Sequence, residues 1–416
     1  MARTFGRVII LFFLFSAFVK NTFAITIVVD AKGAVSTITR AFEIANNGDT
    51  VIVKEGVYKE GNLTINKSIT FLAKGKVTLD GQHKYEVLSI KASNVWIEGF
   101  TLINSGVSSI VDMGGIKVYE VKNVTIKNNV LIDCFFGIYI QHGKNCVIKG
   151  NTVTAHTKIE QDNGNGIHGW KSDSLLILKN TVSGHRDGYY LEFVTNTTIL
   201  NNISENNLRY GLHFMFSHGN FYINNSFINN GAGVAVMYSR AVKMYNNHFS
   251  KNWGDASYGL LLKELNDSYI EGNEFENNTV GIFADGATRV EVRKNIFRQN
   301  GWAVKMQANC MDMHLENNNF IANSFDIGTN GSLVLNTLKK NYWDKYEGYD
   351  LNKDNIGDIP FRPVSLFSMI IEQSPPAMIL FRSFMASLLD KTEKILPSIT
   401  PEGLKDEMPL MKPNKL

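Results

Sequence analysis

The sequence is poor in cysteine and proline, and its charges are nearly balanced. Its three cysteines, Cys134, Cys146 and Cys310, are too few and too unevenly spaced to form a disulfide framework. Cys134 and Cys146 could meet on neighbouring repeats, although two buried thiols are the favoured interpretation. The 42 Lys and Arg residues are scattered among 39 Asp and Glu residues, so no basic stripe indicates nucleic-acid binding.

Only a short apolar run stands near the start of the chain, from Val8 to Val19. Two arginines precede it, and small residues at positions 22 and 24 follow it at the spacing of a cleavage site. Residues 1–24 are therefore predicted to be a secretory signal peptide. The alternative of an uncleaved anchor is disfavoured, because twelve apolar residues are short for a bilayer span. The mature chain, from Ile25, is expected to be periplasmic and formally neutral.

The region that follows lacks helical spacing and instead repeats a short unit. Each copy has a glycine, a strand with period-2 alternation, a polar turn, a second strand and an Asn-x-Phe/Val step. The repeat period of 20 to 30 residues is typical of a solenoid. The asparagines that mark the copies, 21 to 29 residues apart, are Asn129, Asn151, Asn180, Asn201, Asn225, Asn247, Asn273, Asn295 and Asn318.

These repeats predict an all-β parallel β-helix over residues 25–345, with coils of about 22–24 residues. The strands of one coil complete their hydrogen bonds only with the coils above and below. Asparagine tolerates left-handed backbone angles, and its side-chain amide can hydrogen-bond to the amide of the equivalent asparagine in the next coil. The markers are therefore predicted to form an internal ladder. A leucine-rich repeat is excluded because its leucine signature is absent.

The first coils are expected to be closed by a short helix, capped by Ser36 and ended at Gly48. Exposed end strands invite edge-to-edge pairing, which such a cap prevents. Two enlarged loops, Thr154–Gly166 and Trp253–Gly259, must protrude from the coils and are candidate contact points. The helix residues predicted to share the buried face are Ile38, Ala41, Phe42 and Ala45.

Residues 346–363 form an Asp-rich closing segment. Asp350, Asn352, Asp354 and Asp358 stand at alternate positions, like the oxygen ligands at the start of a calcium loop. The glutamate that an EF-hand needs is missing, so a polar turn that seals the end of the stack is the alternative.

Residues 364–416 form a tail rich in methionine and proline; all eight prolines lie from Pro360 onward. An amphipathic helix is predicted to start at Ser374 and to stop at Pro397. The tail is expected not to join the β-stack. We favour a docking arm for a partner or a membrane surface over a helix folded back along the coils.

The glycine that opens each long strand fixes the direction of the side chains that follow it. One and three residues after the glycine, side chains are predicted to point inward: Ile138, Ile140, Leu212, Phe214, Val234, Val236, Leu260 and Leu262. Two and four residues after it they are predicted to point outward: Tyr139, Gln141, His168, Trp170, Tyr190, Glu192, His213, Met215, Ala235 and Met237.

The outward strip combines imidazole and thioether groups, which suit copper. The preferred ligands are Glu192, His213, Met215 and Met237, with His168 in reserve. The alternative is an apolar protein-contact patch without metal. A second group, residues 310–314, is less convincing, because alternation places its two methionines on one face and Asp312 and His314 on the other.

A carbohydrate-active β-helix would need clustered outward carboxylates, or an Arg or Lys base beside them. Glu192 stands alone, and Lys263 and Asp285 occupy the same slot on later coils as single charges. Asp187 and Arg186, next to His185, could imitate part of such a site. A carbohydrate-binding or carbohydrate-cleaving protein is therefore the second interpretation.

The opening GDTVIVKEGVYKEGNLTINKSITFLAKG, the asparagine-marked coils, the segment NYWDKYEGYDLNKDNIGDIPFRP and the tail ending in MPLMKP resemble, in that order, the NosD family. The coils alone are shared with carbohydrate-binding and sugar-hydrolase repeats, so the closing segment and tail make the resemblance specific.

This resemblance implies a periplasmic, right-handed β-helix that is not an enzyme and that serves an ABC transporter in the maturation of the copper centres of nitrous-oxide reductase. It also implies a permease dimer as partner, contacted through the tail, together with a copper chaperone and the reductase itself. It does not assign copper ligands, nor does it distinguish copper from a sulfur species as the cargo.

Overall fold

The computed structural model describes residues 24–108, 110–331, 335–381, 383–386, 388–389 and 404–415. The predicted signal peptide, apart from Ala24, lies outside these residues. The described chain winds into a parallel β-helix, as the sequence predicts, and its coils have three faces.

Face A is a sheet of twelve parallel strands, one from each coil. Its strands are Leu63–Ile65, Leu88–Ile90, Gly114–Tyr119, Phe136–Gln141, Ile167–Trp170, Asp187–Glu192, Tyr210–Met215, Ala232–Met237, Leu260–Lys263, Val280–Asp285, Trp302–Met306 and Phe325–Thr329.

Faces B and C are two arms of one 25-stranded sheet that are joined at the long strand Thr70–Asp80. Face B comprises Thr26–Val29, Thr50–Tyr58, Thr70–Asp80, Trp96–Glu98, Thr125–Lys127, Val147–Lys149, Leu176–Leu178, Thr198–Leu200, Phe221–Ile223, Lys243–Tyr245, Asn266–Glu271, Thr288–Arg293, Met311–Glu316 and Thr337–Lys339. Face C continues with Thr101–Ile103, Val130–Ile132, Thr152–Thr154, Thr181–Ser183, Ile203–Glu205, Ser226–Ile228, His248–Ser250, Glu274–Glu276, Ile296–Arg298, Asn319–Ile321 and Tyr342–Trp343.

A ladder of asparagine side chains fills the corner between faces B and C. In each rung the Oδ1 of one asparagine accepts from the backbone N–H and the amide of the asparagine one coil earlier. Asn225, for example, donates from its backbone to Asn247 Oδ1 at 3.0 Å and from its amide at 3.0 Å. Its amide also donates to the Ile199 carbonyl at 3.0 Å. The predicted internal ladder is therefore confirmed.

One predicted rung is wrong by a single residue. Asn202, not Asn201, accepts from Asn180 and donates to the next rung. Asn201 is exposed and has a positive φ of 55°. We had assigned both the left-handed backbone angle and the ladder hydrogen bonds to one asparagine. In the structure Asn201 adopts the left-handed angle at the corner, and Asn202 makes the hydrogen bonds inside the coil.

Stacked aromatic rings fill the core beside the ladder. The rings of Phe249 and Phe275 lie 4.7 Å apart, and their planes are nearly parallel. The stack continues over successive coils through Phe227, Phe249, Phe275, Phe297, Phe320 and Trp343. Ring stacking therefore holds neighbouring coils together along the same direction as the backbone hydrogen bonds.

Helix α1, Ile38–Ile44, closes the N-terminal end, and all four residues predicted to share its buried face are buried. Its Phe42 ring packs edge-on against Phe71 of the core at 5.0 Å. The predicted cap residue is wrong, because Thr37, not Ser36, accepts from the Arg40 backbone N–H. The helix also ends earlier than predicted, at the C-cap residue Ala45.

The last rung of the ladder is an aspartate from the tail. Asp406 is fully buried and accepts from the Asn341 backbone at 2.9 Å, its amide at 3.1 Å and the Trp343 indole at 3.1 Å. Asp406 and Leu410 also form β-bridges with the final coil. Our expectation that the tail does not join the stack is wrong for these residues, because a ladder that ends without a further coil still needs an acceptor.

The other described part of the tail folds back on face A. Helix α2, Leu366–Gln373, was not predicted, and the predicted helix start at Ser374 is the point where α2 ends. A 3-10 helix, Pro375–Leu380, follows. Phe367 of α2 packs on a cluster of buried side chains with Trp302 and Phe325. The remainder of the predicted helix, from residue 390 to 397, lies outside the described residues.

Replacement of Asn225 by leucine is expected to lower the free energy of unfolding by about 1–3 kcal/mol, because the backbone and side-chain donors of Asn202 lose their acceptor and the Ile199 carbonyl loses a donor. Thermal and urea unfolding measure the change. Ser226→Leu, one residue on, is the control, since it lies outside the ladder. Equal stability of Asn225→Leu and wild type would show that the ladder contributes little.

Replacement of Asp406 by alanine is expected to cost about 3 kcal/mol, since it leaves the buried donors of Asn341 and Trp343 without an acceptor. Urea unfolding checks this, with Glu407→Ala as a matched acidic control. Glu407 pairs with Lys405 at the surface, where a salt bridge contributes little. If both variants unfold at the same urea concentration, the end of the tail does not close the stack.

Candidate functional site

The predicted strip lies on the outer side of face A, in register. His213 and Met215 share one strand, Met215 pairs with Met237 on the next coil, and Glu192 pairs with Met215 from the coil before. The eight side chains predicted to point inward are all fully buried in the core cluster. Alternation therefore predicted correctly which side chains of the face A strands enter the core.

The outward side chains divide into two columns that differ in exposure. The middle column, two residues after each glycine, is largely buried although it lies outside the core: His168 is 9% exposed and His213 is 7% exposed. Tyr190 lies between their rings, 4.9 Å from each, and contacts both edge to face. His168 thus lies two coils from His213, with a tyrosine between, and the structure does not bring it to the same site.

His213 is turned toward a buried ion pair. Its Nδ1 lies 3.7 Å from Oδ2 of Asp187, which also accepts from Arg209 at 2.6 Å. Burial alone would raise the pKa of Asp187, but the neighbouring His213 ring and the two hydrogen bonds from Arg209 outweigh burial and hold the pKa below its ordinary value. Tyr210 flanks the His213 ring on its other side at 4.9 Å. Alternation did not identify Asp187 as a neighbour of His213, because Asp187 precedes the glycine of its strand and so lies outside both columns.

His168 is a neutral imidazole. Burial lowers its pKa to about 3. Its Nδ1 lies 3.2 Å from the Asn165 amide, whereas its Nε2 has no partner among the described residues. A neutral ring with a free nitrogen is the form that binds a soft or borderline metal ion, but its depth leaves it less accessible than the second column.

The second column, four residues after each glycine, is partly exposed and carries Trp170, Glu192, Met215 and Met237. The Tyr190 hydroxyl lies 3.7 Å from the Met215 sulfur. Three of the predicted ligands therefore share one surface. They are the thioethers of Met215 and Met237, at paired positions, and the carboxylate of Glu192 one coil before them.

Aromatic residues at the adjacent corner were not predicted. Phe193, Phe216 and Tyr238 follow directly after Glu192, Met215 and Met237, and their rings stack at 5.2 and 5.1 Å. All three have positive φ angles between 50° and 53°, a conformation that is rare and strained for bulky residues. Phe193 is 43% exposed. The thioethers are therefore bordered by an apolar ridge.

The second methionine group does not have the predicted arrangement. Met313 is buried in the core and Met311 is 46% exposed, so the two do not share a face. The cause is Asp312, whose positive φ of 57° interrupts the alternation. His314 Nε2 instead lies 3.1 Å from Asp312 Oδ1 at the surface.

The predicted calcium segment is an ordered polar turn. Asp350 accepts from the backbone N–H groups of Asp354 and Asn355, and Asp358 accepts from that of Leu351. Across the part of the chain that the structure describes, no three His, Cys, Asp or Glu side chains come together as a metal site. All three cysteines are free and buried, which confirms two unpaired thiols at Cys134 and Cys146.

The residues weighed for carbohydrate chemistry are already engaged. Both Asp187 oxygens accept from Arg209, and Asp285 accepts from the Asn309 amide at 2.8 Å. His185 is fully buried, and burial lowers its pKa to about 4. Arg186 donates to Asn165 at 3.3 Å. The contact between Arg186 and Asn165 links the loop Thr154–Gly166 to the start of the face A strand Asp187–Glu192.

Comparison with known proteins agrees with this architecture. Bacteriophage CBA120 tailspike protein 3 is similar in fold, with a TM-score of 0.54 at 10% identity over 76% of this chain and 62% of that chain. No helix among the described residues has the length and apolarity needed to cross a membrane.

Two curated relatives are similar over most of their length, and both are named probable ABC transporter binding protein NosD. The protein of Stutzerimonas stutzeri is 25% identical over 85% of each chain. That of Pseudomonas aeruginosa is 26% identical over 85% of this chain and 86% of its own. The family model described as periplasmic copper-binding protein (NosD) matches residues 153–353, which include the outward residues from His168 to Met237. The chain therefore belongs to the NosD family.

Proposed function

We propose that this protein is an exported, non-catalytic copper-binding accessory of an ABC transporter and that it supports assembly of the copper sites of nitrous-oxide reductase. Membership of the NosD family supports the general role. The assignment to nitrous-oxide reductase, with a copper chaperone as donor, follows from the resemblance of the opening, closing segment and tail to that family.

The paired thioethers of Met215 and Met237 carry the copper proposal. Thioether sulfur selects Cu(I) over harder ions, and both side chains stand on strands whose positions the coil fixes. Little ordering is then needed for binding. Glu192 supplies a charge that offsets that of the ion.

His213 is assigned a supporting position in this site. It shares a strand with Met215 but faces Asp187, so it binds copper only by turning away from that carboxylate. The strip is best described as a thioether pair with Glu192 beside it and His213 as a further ligand that needs a side-chain rotation. His168, two coils from His213, stays outside this set. Calcium at Asp350, Asn352, Asp354 and Asp358 stays a prediction, since hydrogen bonds within the segment already hold the turn.

Replacement of both Met215 and Met237 by alanine is expected to abolish Cu(I) uptake, because both soft ligands are lost while the coil hydrogen bonds remain. Anaerobic Cu(I) titration of the mature protein against a chromophoric chelator measures uptake, and circular dichroism checks the fold. His213→Ala with Met215→Ala is expected to show the same loss.

The matched control is Met311→Ala, which removes an exposed methionine from face B. It should bind Cu(I) as wild type does. Equal uptake by the wild type and the Met215/Met237 variant would mean that the strip is a protein-contact surface and that copper is held elsewhere.

The tail supports contact with a permease. Its inner side packs on face A, where Phe381 lies 5.4 Å from Phe325 and Glu372 pairs with Lys305. Its outer side presents the tail patch, a set of exposed apolar side chains: Met378, Ile379, Leu380, Phe384, Met385 and Leu388. A patch of this kind is unusual on a soluble surface and indicates a partner.

Replacement of Ile379 and Phe384 by glutamate is expected to prevent co-purification with the permease while the unfolding temperature stays within about 2 °C of wild type, since surface changes are nearly neutral. Ile379 is 88% and Phe384 82% exposed. Affinity purification of the co-expressed transporter measures the interaction. Val57→Glu is the control, at an exposed apolar residue outside the tail. Retained co-purification of the tail variant would contradict docking through this patch.

The carbohydrate interpretation has one supporting group, the buried Asp187 beside His213. Because both oxygens of Asp187 accept from Arg209, that carboxylate is positioned as an internal counter-ion. We therefore do not propose an enzymatic function.

A further inference from the structure

Enlarged loops leave the coils at a single corner, the one between faces C and A. The first loop, residues 104–108 and 110–113, joins a face C strand to the face A strand that follows it, as do the loops Thr154–Gly166 and Trp253–Gly259. In the other coils this connection is shorter. Since binding residues are concentrated on loops that a rigid scaffold positions, this corner is a candidate contact side of the molecule.

The first loop and the loop Thr154–Gly166 expose apolar side chains at their tips. Ile110 is 92% exposed, Val107 is 53% exposed and Ile159 is 56% exposed. Scattered single apolar residues are normal on a protein surface, whereas apolar side chains on both sides of one cavity indicate a contact surface.

A cavity of about 530 Å³ lies between these two loops. Its apolar wall includes Val107 from the first loop, Ala155 from the other, and Phe135 from the coil between them. A pocket for a small molecule encloses most of its ligand. Because the apolar tips extend the contact surface beyond the cavity, a protein segment fits this site better than a small molecule does.

The wall of the cavity contains two carboxylates and neither lysine nor arginine. The Asp162 carboxylate has no hydrogen bond and no ion pair within the described residues. Asp133 is oriented by His156, whose Nδ1 lies 2.9 Å and 3.1 Å from its two oxygens. Lys158 belongs to the same loop as Asp162 but does not line the cavity. The charge of the wall is therefore complementary to a cationic side chain.

The half-buried ring of Phe135 makes arginine the cation that suits the wall best. A guanidinium group stacks on aromatic faces more often than an ammonium group does. Its planar N–H groups also match the two oxygens of a carboxylate. The cavity thus offers both of the contacts that arginine uses in recognition.

We propose that this cavity receives an arginine side chain of a partner protein. The guanidinium pairs with Asp133 and Asp162 and lies against Phe135, and apolar residues on either side of the arginine contact the exposed tips of the two loops. The thioether pair lies in the second column of face A and the tail patch lies on the tail, so this proposal depends on neither copper binding nor permease docking.

The probe is a random peptide library displayed on phage and selected on the immobilised mature protein. The selected peptides are expected to share an arginine beside apolar residues, and fluorescence polarisation with one such labelled peptide measures its affinity. Asp133→Asn combined with Asp162→Asn should weaken binding about tenfold, because both charge pairs are lost while the shape of the cavity stays. Added salt should weaken binding to the wild type more than to this variant.

Two matched controls separate the cavity from the rest of the surface. Asp267→Asn, which removes an exposed carboxylate that pairs with Arg289 on face B, should bind the peptide as wild type does. Ile159→Ser should weaken binding, whereas Ile203→Ser, at an isoleucine 40% exposed on face C, should not. Circular dichroism verifies the fold of each variant.

Three results would overturn the proposal. They are a selection that enriches no peptide, a selection of peptides without a basic residue, and equal peptide binding by the wild type and the variant that lacks both carboxylates.

Discussion

The hydrogen bonds between coils fix the register of the strands, and the positions of the outward side chains depend on that register. Each asparagine of the ladder bonds to the next coil through its backbone and its amide, so one coil cannot slip along its neighbour without breaking both. A fixed register means that residues at equal distances from the glycines become neighbours in space. Met215 and Met237 meet for this reason, although 22 residues separate them in the chain.

The sequence was informative where period-2 alternation and the repeat act together. They predicted the coils, the ladder and the pairing of Met215 with Met237, whereas helical spacing predicted the buried face of α1. They were less informative about lateral neighbours, because alternation says whether a side chain points outward but not what lies beside it. His213 was expected to reach Met215, yet Asp187, in the next column, attracts its ring.

Local backbone angles explain the remaining differences. Asn201 and Asn202 are adjacent and chemically identical, so only the left-handed angle of the first assigns the rung to the second. The same angle at Asp312 turns Met313 into the core. The tail could not be predicted, because Asp406 meets Asn341 across 65 residues and has no repeat to reveal its position. An aspartate suits the end of the ladder, since its carboxylate accepts from several donors. Unlike asparagine, it has no N–H group that would need an acceptor on a further coil.

The position of the candidate copper site follows from the same constraint. Strand residues repeat with the coil, so a site made of them, such as the thioether pair, is held in register and lies open on face A. Residues of an enlarged loop escape the period, so the repeat does not predict which groups such a loop brings together. The loop Thr154–Gly166 shows this, because its Asn165 contacts both Arg186 and His168.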